Sequence, residues 1–156
     1  MDEGSFEDFY VAEYRQVLAF ARVLTGSREH AEDVAQEAFA AALESWNGLE
    51  NPAGWVRSVV ANKVRSRWRR VDAERRAVER LGSTPLVGDE LGVEAEEFWR
   101  LVRSLPKRQA QTVALFYLED RPVSEIASIL GCGESTARVH LMRGRRRLAR
   151  LLGVDE

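Results

Sequence analysis

The sequence predicts an all-α protein built from two small helical domains that a flexible linker joins. Apolar residues recur at helical spacing along most of the 156 residues, and no strand-like alternation is long enough to matter. The exception is residues 81–93, LGSTPLVGDELGV, where three glycines and one proline interrupt the pattern. Because 45% of the chain is hydrophobic, it has enough apolar material for modest cores. We therefore place the domains at 1–80 and 96–156, with an acidic linker at 81–95.

Three helices are predicted in the N-terminal domain, each with a recognisable beginning. Ser5 is the expected N-cap of the first helix, and Ser27 is that of the second, which should run to about Trp46. Asn51 and Pro52 provide the N-cap and first residue of a third helix, which should continue to about Arg80. The residues expected to face the core are Phe6, Phe9, Tyr10, Val17, Leu18, Ala21 and Leu24 in the first helix, Val34, Ala35, Ala38, Phe39, Ala42, Leu43 and Trp46 in the second, and Val56, Val60 and Val64 in the third.

The C-terminal domain is predicted to contain two helices, near 96–104 and 106–118, followed by a helix-turn-helix. SEIASILG is the first helix of that motif, CGE is its turn, and STARVHLMRGRRRLARLL is the longer second helix. The second helix of such a motif lies in a DNA major groove. Its predicted packing stripe is Ala137, Leu141, Gly144, Leu148 and Leu152, and the opposite face carries Thr136, His140, Arg143, Arg146, Arg147 and Arg150.

Charge is distributed in blocks, although the formal net charge is only −2. Residues 1–50 carry eleven acidic and three basic side chains, whereas residues 51–80 carry nine basic and three acidic ones. From Ser135 onward there are six arginines, and the acidic residues are confined to Asp155 and Glu156. Two basic blocks separated by acidic ones favour binding to nucleic acid despite the overall balance.

Other classes of protein fit the composition poorly. His30, His140 and Cys132 are the only histidines and cysteine, and there is no glycine-rich phosphate loop. We therefore expect a protein that is not an enzyme and holds neither a metal nor another cofactor. No apolar run is long enough to span a membrane, and the acidic N-terminus lacks the layout of a signal peptide. A cytoplasmic protein is the expectation.

Three segments together carry a resemblance to a known family. They are AEDVAQEAF in the second helix, NPAGWVRSVVANKVRSRWRR in the third, and LPKRQAQTVALFYLEDRPVSEIASILGCGESTARVHLMRGRRRL in the C-terminal domain. In this order and spacing they resemble the second and fourth conserved regions of bacterial sigma factors, specifically the small extracytoplasmic-function group. The resemblance covers almost the whole chain. It implies a protein that binds core RNA polymerase, directs it to particular promoters and helps to melt them.

The resemblance also implies where the N-terminal domain does its work. Polymerase binding is expected on the second helix, where Asp33, Gln36 and Glu37 match the pattern that contacts a coiled coil of the polymerase clamp. The same domain is expected to recognise the −10 promoter element. The candidates for that contact are Trp55, Asn62, Arg65, Ser66, Arg67 and Arg69 on the third helix, and Asn47 and Leu49 in the loop before it. An indole can stack on an unpaired base and an amide can hydrogen-bond a base edge, which is the chemistry that strand separation needs.

The C-terminal domain is expected to recognise the −35 element. The resemblance places Thr136, Arg138, His140 and Arg143 at DNA-facing positions, and arginine is the common bidentate reader of guanine. Arg146 and Arg147, further along the helix, are expected to anchor phosphates. The sequence departs from the family pattern on this face. Gly133 is at the N-cap, Ser135 replaces a common glycine, Val139 a common serine and His140 a common arginine, which predicts an unusual −35 preference.

The residues leave an alternative open in another class. A regulator that binds DNA without polymerase could use the same helix-turn-helix, but it would not account for the acidic second helix followed by a basic, tryptophan-bearing one. A helical interaction module without nucleic acid is a third interpretation, which the two basic blocks disfavour. Members of the sigma group are commonly held inactive by an anti-sigma factor, so the expected partners are core RNA polymerase, promoter DNA and such an inhibitor.

Overall fold

The computed structural model describes residues 3–64 and 92–154, and all regular structure in these two ranges is helical. This confirms the predicted all-α class. The elements are α1 (Glu3–Thr25), α2 (Arg28–Glu44), a 3-10 turn (Trp46–Gly48), α3 (described over residues 52–64), α4 (Gly92–Arg103), α5 (Lys107–Leu118), α6 (Val123–Leu130) and α7 (Glu134–Leu152). Most of the predicted linker and the far part of the predicted third helix lie outside the described residues.

The helix boundaries of the N-terminal domain follow the local chemistry with one exception. Ser27 is the N-cap of α2, because its hydroxyl accepts a hydrogen bond from the His30 backbone N–H at 3.3 Å. Asn51 Oδ1 accepts from the Gly54 N–H at 3.2 Å at the start of α3. The predicted cap at Ser5 is wrong, because α1 begins by Glu3 and Ser5 lies inside the helix. An acidic residue in a first helical turn is stabilised by the helix dipole, which favours this earlier start.

An aromatic cluster closes one end of the N-terminal domain. Trp46, in the 3-10 turn, is 6% exposed and packs edge-on against Phe6, with ring centroids 5.4 Å apart, and against Phe9 at 5.1 Å. Phe39 of α2 contacts Phe9 and Tyr10 at 5.6 and 4.9 Å. Because the helix stops at Glu44, Trp46 reaches the core from the turn. Leu43, predicted as a core residue, is instead 46% exposed.

The C-terminal domain packs α7 against α5 and α6. Ala137, Leu141, Gly144 and Leu148 are buried as predicted, whereas Leu152 is 46% exposed. The prediction for Leu152 is wrong because the neighbouring helices do not cover the last turn of α7. Gly144 marks the closest approach, since a Cβ built there would lie 2.9 Å from Val113 Cγ2 of α5. A glycine in mid-helix therefore lets two helices approach closely.

The two domains pack against each other through α1, α4 and α5, and their buried apolar residues form one continuous cluster. Arg103 of α4 donates to the Val23 carbonyl oxygen, near the C-terminal end of α1, at 3.2 Å. It also lies over Gly26, whose left-handed backbone (φ +70°) follows the end of α1. No described helix is long and apolar enough to cross a membrane.

Candidate functional site

The turn before α7 is fixed by backbone hydrogen bonds. Gly131 ends α6 in the left-handed conformation, with φ +69°, and the Cys132 N–H donates to the Ala127 carbonyl at 3.0 Å. Gly133 is the N-cap of α7, and its carbonyl accepts from the Ala137 N–H at 3.0 Å. The direction of α7 relative to α6 therefore does not depend on a polar side chain in the turn.

One face of α7 is polar, basic and open to solvent. We define the α7 basic face as Thr136, Arg138, His140, Arg143, Arg146 and Arg147, all of which the sequence predicted as DNA contacts. Five of the six are exposed, and His140 is half-buried. Because the buried stripe is on the opposite side, these side chains share one surface that an external polyanion can approach. Cationic groups on such a surface can hold phosphates and read guanine edges.

His140 is adjacent to two cations. Partial burial lowers the pKa of the His140 imidazole, and the charges of Arg108 and Arg143 lower it further. The side chain is therefore neutral at physiological pH and offers one donor and one acceptor. Its contribution to the basic face is hydrogen bonding rather than charge.

Val139 lies in the middle of the exposed side of α7, between the predicted DNA contacts. It is 36% exposed, although valine is a residue that proteins usually bury. Apolar side chains at such positions contact the methyl group of thymine in the major groove. Arg138 meanwhile pairs with Glu134 one turn earlier at 2.8 Å, and Arg145 lies 5.9 Å from the centroid of the Tyr117 ring. Arg145 is thus directed toward α5 rather than along the basic face.

The predicted −10 residues that the structure describes lie at the start and along one side of α3. Asn62 is exposed, Trp55 is half-buried, and the two share a helix face at a spacing of seven residues. Asn47 is exposed and Leu49 half-buried in the segment between the Trp46 anchor and the Asn51 cap. Arg65, Ser66, Arg67 and Arg69 lie outside the described residues.

The predicted polymerase contacts share the outer face of α2. Asp33 and Gln36 are exposed and Glu37 is half-buried. Glu37 Oε2 lies 3.4 Å from Lys63 Nζ of α3, so part of its charge is already matched within the chain. The sequence alone does not predict this link between the polymerase face and the third helix.

Gln36 is held in place by α1. Its amide donates to the hydroxyl groups of Tyr10 and Tyr14 at 3.1 and 3.3 Å. Burial raises the pKa of the Tyr14 phenol, a shift that the hydrogen bond from Gln36 partly offsets, so the hydroxyl stays protonated. Two side chains of the acidic face of α2 are therefore tied to neighbouring helices, Gln36 to α1 and Glu37 to α3.

Arg57 is a residue whose burial the sequence analysis did not predict. It belongs to the basic block of residues 51–80, yet its side chain is 0% exposed and bonds to carboxylates. Helical periodicity could have found it, because Arg57 lies on a different side of α3 from Trp55 and Asn62. Because arginine is charged and usually exposed, its position on that side of α3 does not by itself indicate burial.

The three surfaces differ in charge and in hydrogen-bonding groups. Among residues 3–64 and 92–154 there is no cluster of three or more histidine, cysteine or acidic groups that could hold a metal ion. What the described residues do present is an acidic helix face, an indole and an amide on a second helix, and a basic face on a third. These are complementary to a basic protein surface, to unpaired bases and to duplex DNA.

Two family profiles match the chain. The first, described as Sigma-70 region 2, matches residues 9–74, and the second, described as Sigma-70 region 4, matches residues 95–148. The first covers the acidic face of α2 and the indole and amide of α3, and the second covers the whole α7 basic face. The order of the two regions agrees with the resemblance seen in the sequence.

Individual proteins show the same likeness. The chain is 30% identical to the ECF RNA polymerase sigma factor EcfG of Rhodopseudomonas palustris, over 97% of this chain and 87% of that protein. It is 29% identical to the ECF RNA polymerase sigma factor SigM of Mycobacterium tuberculosis, over 97% of this chain and 79% of that protein. Both alignments span the two domains.

Two solved structures share the fold. The sigma factor RpoE, solved with the anti-sigma factor NepR from Bartonella quintana, superimposes with a TM-score of 0.76 at 22% identity, covering 97% of this chain and 99% of that one. CnrH, solved with the cytosolic domain of CnrY, gives a TM-score of 0.73 at 19% identity, covering 99% and 92%. At these identities the likeness concerns the fold.

Proposed function

This chain belongs to the extracytoplasmic-function group of sigma-70 RNA polymerase sigma factors. We propose which of its surfaces binds polymerase and which bind the two promoter elements. It is an alternative sigma factor that directs promoter-specific transcription initiation. The main support for this assignment is that one chain of net charge −2 exposes an acidic face on α2 and a basic face on α7.

The outer face of α2 binds the clamp of core RNA polymerase in this proposal. Asp33 and Glu37 supply negative charge. Gln36 supplies an amide whose orientation is set by its hydrogen bonds to two tyrosines. Charge complementarity of this kind governs approach and register. A side chain that neighbouring helices already hold, such as Gln36, loses less conformational entropy on binding.

The exposed side of α3 and the loop before it hold the melted −10 strand. Asn62 is exposed and can hydrogen-bond a base edge, while the half-buried Trp55 presents part of its ring for stacking. Asn47 lies in a short segment fixed at both ends, which suits a preformed pocket for an unstacked base. Arg65, Ser66, Arg67 and Arg69 stay predicted contacts to the −10 element, with Arg67 on the DNA phosphates.

The α7 basic face reads the −35 element. Its first three turns carry the residues that reach base edges, Arg138, His140 and Arg143, and the later Arg146 and Arg147 hold phosphates. Thr136 and Val139 complete the reading surface. Neutral His140 adds a hydrogen-bond donor and acceptor to this face, and Val139 adds an apolar contact. These additions support a −35 preference that differs from the family pattern.

We also propose the setting in which these contacts operate. The protein works in the cytoplasm as a binding partner of polymerase and not as an enzyme. An anti-sigma factor is a further proposed partner, because the two similar solved structures are complexes, one with the anti-sigma factor NepR and one with the cytosolic domain of CnrY.

The proposed polymerase contact is tested by binding purified wild-type chain and charge-reversed variants to bacterial core RNA polymerase without DNA. Asp33→Lys should weaken binding by about tenfold or more, equivalent to roughly 1.4 kcal/mol. Glu37→Lys alone is ambiguous, because it places a second cation near Lys63. The double variant Glu37→Lys, Lys63→Glu restores an internal ion pair while it keeps the reversed charge on α2, and it should stay defective.

Glu7→Lys is the matched control, because it makes the same charge change on an exposed position of α1. It should bind core like the wild type. Rescue by the double variant would show that the internal pair, and not polymerase contact, explains the effect of Glu37. A wild-type chain that binds −35 DNA but never binds core polymerase would instead indicate a stand-alone DNA-binding regulator.

A further inference from the structure

Two apolar side chains lie in the middle of the cationic surface of α7. Val139 is 36% exposed and Met142 is 42% exposed, and their spacing of three residues makes them neighbours on the helix. We call them the apolar pair. Arg138 is four residues before Met142 and Arg143 is four residues after Val139, so one arginine borders the pair on each side. An apolar strip therefore separates two cationic flanks.

Neither packing nor helix formation explains a valine at position 139. At about 100° per residue, Val139 lies almost opposite the middle of the buried stripe, which consists of Ala137, Leu141, Gly144 and Leu148. Valine also has a lower helix propensity than alanine or arginine, because its branched side chain loses rotamer freedom in a helix. A polar residue would suit the fold equally well at this position. The apolar side chain is therefore explained by binding.

The neighbouring arginines leave the apolar pair uncovered. Arg138 Nη2 lies 2.8 Å from Glu134 Oε1, one turn earlier and on the side away from Met142. On the other flank, Arg143 is close enough to His140 for its charge to contribute to the lowered pKa of the imidazole. Each arginine thus has a neighbour on its outer side, and the aliphatic groups of the pair face solvent between them.

The charge around the apolar pair selects the kind of ligand that it can meet. From Ser135 onward the chain carries six arginines, so a polyanion is the favoured ligand of this surface. Apolar patches that bind proteins extend over several hundred Å², and two side chains that are each less than half exposed do not form such a patch. A helix in the major groove has its flanks near the phosphate backbones and its middle against the base edges. The apolar pair therefore faces bases.

The base edges of the major groove offer one apolar group. Purines present N7 with either O6 or an amino group, cytosine presents an amino group, and thymine presents O4 and a C5-methyl group. The valine side chain forms no hydrogen bond, and the methionine sulfur is only a weak acceptor. A polar base edge covered by these side chains would lose its hydrogen bonds to water, which weakens binding. A methyl group instead gains from the contact.

From these observations we propose that Val139 and Met142 form a binding site for the C5-methyl group of a pyrimidine in the −35 duplex. The site recognises thymine by its methyl group, and it accepts 5-methylcytosine at the same position for the same reason. Val139, with a stiff side chain, sets the position of the base, and the flexible Met142 fills the space beside it. The proposal rests on the proposed function and deepens it, because it names the base chemistry that α7 selects.

The test removes single methyl groups from the DNA. The probe is a −35 duplex that the wild-type chain, bound to core polymerase, selects from a pool randomised over that element. Deoxyuridine then replaces each thymidine of either strand in turn, which deletes the methyl group and keeps the base pair. At one position, or at two adjacent ones, the change should weaken binding of the holoenzyme about fourfold. This is the effect of losing one buried methyl group, about 0.8 kcal/mol.

A second arm of the test separates the methyl group from the rest of thymine. Replacing the sensitive T·A pair by C·G should weaken binding about tenfold, because the cytosine amino group then faces the apolar pair. Placing 5-methylcytosine in that C·G pair should recover about fourfold of this loss. If 5-methylcytosine recovers nothing, the contact depends on thymine O4 rather than on the methyl group, and the proposal is wrong.

Substitutions in the protein assign the effect to the apolar pair. Val139→Ser and Met142→Gln change exposed positions, so both variants should keep their helices, which circular dichroism measures. At the position that each side chain contacts, the variant should bind the thymidine and deoxyuridine duplexes within about twofold of each other. Val11→Ser is the matched control, because it makes the same change at a valine of α1 that is 78% exposed. It should retain the full fourfold difference.

The remaining outcomes are also decisive. A selected −35 element without thymine, or equal binding of every thymidine and deoxyuridine duplex, would overturn the proposal and leave the apolar pair as a surface for a protein partner. Variants that bind more weakly overall but keep the fourfold difference would give Val139 and Met142 a structural role, which overturns it as well. A wild-type chain that does not bind core polymerase would remove the proposed function and this proposal with it. Core binding is therefore measured first, without DNA.

Discussion

Burial separates two uses of arginine in this chain. Arg57 is fully buried and bonded to carboxylates, whereas the arginines of the α7 basic face are exposed. A buried guanidinium with several fixed acceptors is held in one geometry and positions its neighbours. An exposed one keeps its donors for a ligand. The same residue type therefore organises the fold at one place and serves recognition at another.

Arg143 is expected to read a base rather than a phosphate. Arg143→Ala should weaken promoter binding by about 1–3 kcal/mol and relax the preference at a single −35 position, because a bidentate contact to one guanine is lost. Binding of holoenzyme to promoters with each −35 position varied in turn measures this. Arg150→Ala, on the same helix two turns later, is the comparison. It should weaken binding to all promoter sequences about equally. Uniform loss for Arg143→Ala would make it a phosphate contact.

His140 gives the −35 contact a defined pH dependence. The lowered pKa leaves the imidazole neutral at pH 7.5, so His140→Gln, a neutral donor and acceptor, should retain most of the affinity there. DNA phosphates favour the protonated form, so binding takes up a proton and wild-type affinity should rise as the pH falls toward that pKa. The glutamine variant should lack this rise. Fluorescence anisotropy with −35 duplex from pH 5.5 to pH 8 measures it, and parallel curves would contradict the assignment.

At the scale of helices, the local chemistry in the sequence was a good guide to where elements begin. The caps at Ser27, Asn51 and Gly133 are confirmed, since each depends on hydrogen bonds within a few residues. The cap predicted at Ser5 is the exception, because α1 begins by Glu3. The wrong core predictions, Leu43 and Leu152, are both in the last turn of a helix. Whether a last turn is covered depends on where the neighbouring helices stop, and helical periodicity contains no information about that.

Gly144 is the position at which one added atom, a Cβ, would disturb the packing of α7 against α5. Gly144→Ala gains about 1 kcal/mol of helix propensity. It also places Cβ 2.9 Å from Val113 Cγ2, a stiff β-branched contact, and overpacking of this kind costs about 1–3 kcal/mol. Net destabilisation of about 1 kcal/mol is expected in chemical denaturation.

Val113→Ala in the Gly144→Ala background removes the clashing methyl group, so the two changes together should be less destabilising than their sum. Gly48→Ala is the control, because a Cβ at Gly48 meets no atom within 4 Å. A Gly144→Ala chain more stable than the wild type would show that α7 shifts away from α5 at no cost.

For the whole molecule, the sequence predicts the fold class and the two-part organisation but not how the parts meet. The predicted contacts on α7, together with Asn62 and Asn47, are at the surface because amphipathic periodicity assigns faces well. The interface between the domains includes, beside its apolar cluster, Glu13, Arg57 and Glu119, which are residue types that usually face solvent. Their spacing therefore resembles an ordinary exposed face. Only their three-dimensional neighbours, 44 and 62 residues away from Arg57 in sequence, distinguish them.

The polar contacts between the domains also bear on how such a protein can evolve. Substitutions at Glu119 or Gln111 alter contacts that hold the two domains together, so they change the stability of the chain. Substitutions on the α7 basic face change the surface to which the proposed function assigns promoter recognition. Because the two sets of residues lie on different surfaces, the stability of the fold and the proposed promoter preference can diverge independently between lineages.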